Sequence, residues 1–153
     1  MKLQQICKKD QLELKEIYFD SVASIDENIY DEEHKFAWAS QAWENSEFEK
    51  SLLKGDGLKL IYKNEIIGFG TRYPENRLSL LYVRGNFKRR GFGTIILDSI
   101  EKDALNSGIN KLFTEASLIS HKLLLKRNWE IDHKEKVNIK GLIFERYKMF
   151  KIL

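Results

Sequence analysis

The chain has 153 residues, 42% of them hydrophobic and 32% charged, so one packed domain spanning residues 1–153 is expected and wholesale disorder is excluded. A formal net charge of +3 is too mild to imply a nucleic-acid binder by itself, and the single cysteine, Cys7, excludes a disulfide framework or a Cys-rich zinc site. His34, His121 and His133 are too widely spaced for a metal-ligand pattern, so no metal is expected; no apolar run approaches the ~18 residues that cross a bilayer. Met1-Lys2-Leu3-Gln4-Gln5 carries no apolar signal core. The expectation is a cytoplasmic protein with a reduced thiol and no nucleic-acid or membrane partner.

The first half reads as helical. Leu14, Ile17, Tyr18, Val22 and Ile25 follow helical spacing from about Asp10. Phe36, Ala39 and Trp43 form a second stripe, and Phe48, Leu52 and Leu53 a third, ending at Gly55. The period then changes. Leu58 to Tyr62 is a short apolar run, Lys63-Asn64 a turn, and Glu65 to Tyr73 the returning strand of a hairpin. Pro74 marks a turn into a strand from Leu78 to Val83. Phe92, Ile95, Ile96, Ile100 and Ala104 mark a long amphipathic helix that Asn106-Ser107-Gly108 stops. Lys111 to Ala116 reads as a strand and Leu118 to Arg127 as a short helix. Trp129 to Val137 and Leu142 to Ile152 form a second hairpin around Ile139-Lys140-Gly141. The order is helices, then β-β-β-α-β-α-β-β. The third and fourth of these strands are joined through a helix and should be parallel neighbours.

The most informative stretch is Val83-Arg84-Gly85-Asn86-Phe87-Lys88-Arg89-Arg90-Gly91-Phe92-Gly93-Thr94, between a strand and a helix. A helix N-terminus carries unpaired N–H groups and partial positive charge, which together hold phosphate. Gly91 and Gly93 remove side chains where a ligand must approach the backbone, and Lys88, Arg89 and Arg90 add charge. A diphosphate suits this arrangement. On the residues alone, a glycine turn with a solvated basic cluster fits as well. The loop is neither a P-loop, lacking Gly-Lys-Ser/Thr, nor the dinucleotide fingerprint, which fails at Ile96.

This stretch resembles motif A of the GNAT N-acetyltransferase superfamily, V-x-P-x-x-[RQ]-x-x-G-x-[GA]. Val83, Gly91 and Gly93 match; Gly85 stands for the proline and Lys88 for Arg or Gln. Thr114-Glu115-Ala116-Ser117, followed by a short helix and Asn128-Trp129, is similar to the next family segment. The element order resembles that fold over most of the chain, in a branch of small single-domain bacterial members. The resemblance implies an α/β (α+β) fold: a mixed, mostly antiparallel sheet splayed between its central parallel strands and flanked by helices. It also implies acetyl-CoA as co-substrate, a primary amine of a small molecule or peptide as acceptor, direct attack in a ternary complex, and a possible homodimer.

Carried over residue by residue, the resemblance implies that Leu81, Tyr82 and Val83 contact the pantetheine arm and the acetyl carbonyl through backbone. Lys88, Arg89, Arg90, Gly91, Phe92, Gly93 and Thr94 would cradle the diphosphate. Ser117 stands where many relatives carry an Asn on the arm, and His121 begins the helix beside it, where it is equally read as a surface residue. Glu115 is the first choice as catalytic base; its other reading is a strand-end carboxylate paired with Lys or Arg. The Tyr that many relatives use as acid is here Leu124, leaving Tyr82 and Tyr147 as substitutes. Tyr30, Phe36, Trp38, Trp43 and Arg146 would line the acceptor pocket, although aromatic residues at this spacing also read as core. The acidic residues Asp26, Glu27, Asp31, Glu32 and Glu33 read as a solvated loop and helix start, with attraction of a cationic amine as the alternative. Two other functions remain open: a GNAT-like acyl-CoA-binding protein with little catalysis, and a basic nucleic-acid module built on Lys88-Arg89-Arg90.

Overall fold

A computed structural model describes residues 1–153. It opens with a strand that the hydrophobic pattern does not reveal, β1 (Lys2–Gln5), which pairs antiparallel with β2 (Asp56–Tyr62). Leu3 is its one large apolar residue, so alternation is too short to read. α1 (Gln11–Ala23) buries Leu14, Ile17, Tyr18 and Val22 along one face, as the spacing predicts. The predicted second helix is two, α2 (Glu32–Ala39) and α3 (Gln41–Glu44), divided at Ser40, whose hydroxyl donates to the Phe36 carbonyl at 2.8 Å. Asp31 starts α2 by accepting from the His34 amide at 2.8 Å, and Asn45 starts α4 (Ser46–Lys54) by accepting from Glu47 at 2.9 Å.

β2, β3 (Glu65–Arg72) and β4 (Leu78–Val83) continue an antiparallel sheet in the order β1-β2-β3-β4. Lys63 and Asn64 both take positive φ, as the tight turn between β2 and β3 requires. α5 (Phe92–Asn106) lies against β3 at close range. A Cβ on Gly70 would stand 2.4 Å from Ile100 Cδ1 and 2.9 Å from Ile96 Cγ2, so any larger residue would push these α5 side chains aside. β5 (Lys111–Ala116), α6 (Ser120–Lys126), β6 (Glu130–Ile139) and β7 (Leu142–Ile152) complete the chain, and their strands form a second antiparallel sheet ordered β5-β7-β6.

The two sheets meet only at one end. Arg77, just before β4, bridges Phe113 of β5 in parallel; the Phe113 amide donates to Asn76 at 3.0 Å, and Thr114 Oγ1 donates to the Leu78 carbonyl at 2.7 Å. Beyond these contacts β4 and β5 do not pair. The predicted parallel neighbours are therefore joined at their N-terminal ends and separate toward Val83 and Ala116, the splay that the resemblance implies.

A bulge in β4 sets which side chains face the gap. Thr71 opposes Leu80 and Arg72 opposes Leu78, so Ser79 is skipped; its hydroxyl lies 2.7 Å from that of Thr71. Leu78 consequently joins the core beneath α5 with Ile96, Ile100 and Trp129, whereas Leu80 joins the opposite core with Leu14, Ile17 and Phe69. Truncating such a Leu or Ile to Ala costs about 2–5 kcal/mol.

Candidate functional site

The gap between β4 and β5 opens into a cavity of about 1110 Å³ bounded by α1, α2, α4, the start of α5, α6 and the β6–β7 hairpin. Its phosphate-sized end is built by the loop entering α5. Arg89 and Gly91 take positive φ (60° and 85°), which turns consecutive N–H groups to one side. The amides of Arg89, Arg90, Gly91, Phe92, Gly93 and Thr94 donate to no protein acceptor; the first helical bond is Ile95 to Gly91 at 3.2 Å. Nothing lies within 4 Å of a Cβ placed on Gly91, so the space beside that residue is open. A run of unsatisfied donors at a helix start is an anion site.

The basic side chains of this loop do not act together as the sequence reading expects. Lys88 Nζ turns back to donate to the Ser21 carbonyl at the end of α1, and its burial pulls its pKa below the ordinary lysine value. Arg90 folds over an aromatic cluster, with Cζ 5.4 Å from the Phe87 and Phe92 rings and 5.9 Å from Tyr62. Of the three, Arg89 alone is both exposed and on the cavity wall without an ion-pair partner. The unpartnered donors at this end of the cavity are backbone amides, not a cluster of basic side chains.

Along the β4 lip, alternate residues face alternate ways. The Arg84 amide donates to Ile67 at 2.8 Å, and the register pairs Tyr82 with Phe69 and Leu80 with Thr71. The backbone groups of Leu81 and Val83 therefore turn away from β3 toward the gap. Those of Tyr82 belong to β3; what Tyr82 offers the cavity is its ring, edge-on to Tyr18 at 4.6 Å. Burial holds the Tyr82 hydroxyl up at about 12, against the opposing pull of side-chain hydrogen bonds to Trp38 and Tyr18. It stays protonated throughout the physiological range.

On the β5 lip several of the expected residues have other partners. Glu115, expected as base, is pinned at the closed end: Oε2 accepts from Arg77 Nε at 2.8 Å, and Oε1 lies 3.4 Å from Lys148 Nζ. Burial raises its pKa, but the Arg77 hydrogen bond and the charges of Arg77, Lys148 and Arg146 outweigh it and hold the carboxyl below the ordinary value. A carboxylate so stabilised is a poor proton acceptor. Ser117 lines the cavity, yet its hydroxyl accepts from the Ile119 and Ser120 amides at 3.2 and 2.9 Å and so caps α6. His121 faces away: its Nδ1 lies 3.0 Å from the Ser117 carbonyl and its ring stacks on Tyr147 at 4.3 Å, with neither residue on the cavity wall. Tyr147 thereby drops out as a substitute acid. Leu124 is on the wall and 2% exposed.

The broad end of the cavity is aromatic. Tyr30, Trp38 and Arg146 line it as the sequence suggests. Phe36 and Trp43 instead stand outside, 64% and 50% exposed, because α2 and α3 turn their other faces inward. Tyr18 and Phe48, which helical spacing shows only as stripe residues, belong to the wall together with Phe144. Of the acidic run, Asp26 alone reaches the cavity; Asp31 caps α2 and Glu32 pairs with Lys35. The other lining carboxylates are paired too, Glu47 with Lys50 and Glu145 with Lys134. No group of three or more His, Cys, Asp or Glu side chains is placed to hold a metal, and no helix is long and apolar enough to cross a membrane.

Known proteins share this architecture. Residues 26–150 match the family model of the acetyltransferase (GNAT) domain. A GCN5-related N-acetyltransferase from Rhodopseudomonas palustris superposes with a TM-score of 0.92 at 26% identity, covering 99% of this chain and 95% of that one. The PaiA N-acetyltransferase of Thermoplasma acidophilum, solved with coenzyme A, gives 0.75 at 17% identity over 99% and 98% of the two chains. The yncA acetyltransferase of Salmonella typhimurium, solved with acetyl-CoA, gives 0.69 at 16% identity over 99% and 93%. No curated protein matches the chain in sequence.

Proposed function

Since the chain belongs to the GNAT acetyltransferase family, we propose that it transfers the acetyl group of acetyl-CoA to a primary amine of a small molecule or peptide, by direct attack within a ternary complex. The observation that carries this reading is the run of unpartnered amides from Arg89 to Thr94 beside the open β4 lip. The amides fit a diphosphate, and the free backbone edge at Leu81 and Val83 fits an extended amide-bearing arm added like a strand. Neither fit needs a side chain.

The thioester carbonyl would then lie near the Leu81 and Val83 amides, where a donor placed for the developing oxyanion contributes roughly 3 kcal/mol to the barrier reduction. An alkylamine with a pKa near ~10 is about one part in a thousand unprotonated at pH 7. With Glu115 held by Arg77, the proton leaves through water in the open cavity rather than to a dedicated carboxylate. The aromatic wall of Tyr18, Trp38, Phe48 and Tyr82 shields the attack.

Leu124 in place of a tyrosine favours one other reading, an acyl-CoA-binding protein with little turnover. Thiol release from acetyl-CoA, followed against a panel of primary amines with mass detection of the product, tests the two. Amine-dependent release with an N-acetylated product supports the transferase. Tight acetyl-CoA binding without release across the panel supports the binding protein.

A further inference from the structure

Leu124 leaves the departing thiolate without the side chain that would ordinarily meet it from α6. A different residue reaches that end of the gap from the opposite half of the chain. Tyr30 lies between α1 and α2, is 6% exposed, and is held edge-on to Trp38 at 5.2 Å and against Phe144 at 6.0 Å. Its hydroxyl oxygen accepts from the Leu118 amide at 3.0 Å. Leu118 lies between the end of β5 and the start of α6, at the open end of the gap, and Tyr30 lines the cavity with Tyr82, Ser117 and Leu124.

The hydroxyl's own proton has no acceptor in the protein. The other tyrosines are engaged elsewhere: Tyr18 donates to the Trp38 carbonyl at 2.9 Å, Tyr82 turns its ring edge-on to Tyr18 with its hydroxyl toward Tyr18 and Trp38, and Tyr147 stacks on His121 outside the cavity. A buried O–H that already accepts one hydrogen bond is a strengthened donor, and this one has no protein group to satisfy it. From this geometry, and on the premise of the acetyl transfer proposed above, we infer that Tyr30 donates a hydrogen bond to the coenzyme A sulfur as it leaves.

In that step the amine nitrogen forms the new C–N bond, the C–S bond breaks, and sulfur keeps the electron pair. The amine proton goes to water. Tyr30 keeps its proton, because burial holds its hydroxyl above the ordinary tyrosine value whereas a thiol ionises near ~8.5. It stabilises the thiolate rather than protonating it. The Leu118 amide fixes where the hydroxyl sits.

The test is Tyr30→Phe, which keeps the ring between Trp38 and Phe144. Expected are an unchanged acetyl-CoA dissociation constant, a kcat lower by about tenfold, and a shift in the ionisation of bound CoA. Followed by thiolate absorbance, the thiol of CoA bound to the wild-type protein should ionise about one pH unit lower than when bound to the variant, a tenfold change in its ionisation constant. Equal ionisation in the two proteins overturns the inference, as does a loss of acetyl-CoA affinity with kcat unchanged, the mark of a structural role. If the variant fails to fold, 3-fluorotyrosine at position 30, a more acidic phenol of nearly the same shape, should lower the bound thiol's ionisation further; no movement overturns the inference. Wild-type protein that binds no CoA overturns the proposed function itself, and this inference with it.

Discussion

Arg77 Nε stands 2.8 Å from Glu115 Oε2, across the one place where β4 and β5 are tied together. The pair acts as a clasp at the closed end of the gap, with the Thr114 hydroxyl bonded to Leu78 beside it. Its position explains why a carboxylate on the strand next to the expected acetyl site is not free to take a proton.

Glu115→Gln should therefore weaken the fold more than the chemistry. The carboxyl's pKa is lowered on folding, so the unfolded state binds the proton more readily. The contribution is present above the unfolded value of about 4.3 and is lost as pH falls through the lower folded value. Arg77 and Lys148 are each more than a third exposed, so about 1 kcal/mol at pH 7 is expected. Chemical denaturation of both proteins at pH 7 and in mild acid measures it; the difference should shrink in acid while kcat at pH 7 stays within about twofold.

The pH–rate profile follows from the same pairing. No histidine lines the wall and Glu115 is held below the ordinary carboxylate value, while Asp26, the one wall carboxylate outside an ion pair, accepts from the Asn28 amide at 2.9 Å; kcat/KM for an alkylamine should therefore climb toward the amine's own pKa with no inflection between about pH 5 and 8. A plateau in that range that vanishes in Glu115→Gln would restore Glu115 as the base.

Gly91 separates strain from charge. At φ 85° any side chain costs about 1–2 kcal/mol, although the space around it is open. Gly91→Ala should lower stability by that amount and keep acetyl-CoA binding. Gly91→Glu should lose the same stability and, by placing an anion before the amide run, abolish binding detectable by calorimetry. Equal affinities for the two variants would remove this loop from the site.

Arg89 and Arg90 are neighbours in sequence but not in role. Arg89→Ala should weaken CoA binding at low salt and less so at high salt, because an exposed charge is screened. Arg90→Ala should leave affinity within about twofold and lower stability by about 0.5–1 kcal/mol, the worth of its place over Tyr62, Phe87 and Phe92. Calorimetry at two salt concentrations and thermal melting distinguish them.

The strand and helix order from Leu58 onward is legible because each element has one clear period and a turn residue at its end. β1 is not, since a single leucine among polar residues defines no face. The glycine turn and the start of α5 that follows it are legible because backbone geometry there depends on residue type and local turn alone. Side-chain roles are not. Whether Glu115 meets Arg77 depends on a residue 38 positions away, and the ring cluster that takes Arg90 is completed by Tyr62 from a distant strand beside its neighbours Phe87 and Phe92. Tyr30 shows the same limit most clearly: its partner Leu118 is 88 positions distant, and no local pattern joins them.

The account rests on the amides of Arg89 through Thr94 taking up the coenzyme's diphosphate. Backbone amide chemical shifts, assigned and followed as coenzyme A is added and, separately, pantetheine without its diphosphate, read this directly. Coenzyme A should move the Arg89–Thr94 amides strongly downfield, with pantetheine moving the Leu81 and Val83 amides but not these. Binding of coenzyme A that leaves the Arg89–Thr94 amides where they were would contradict the account.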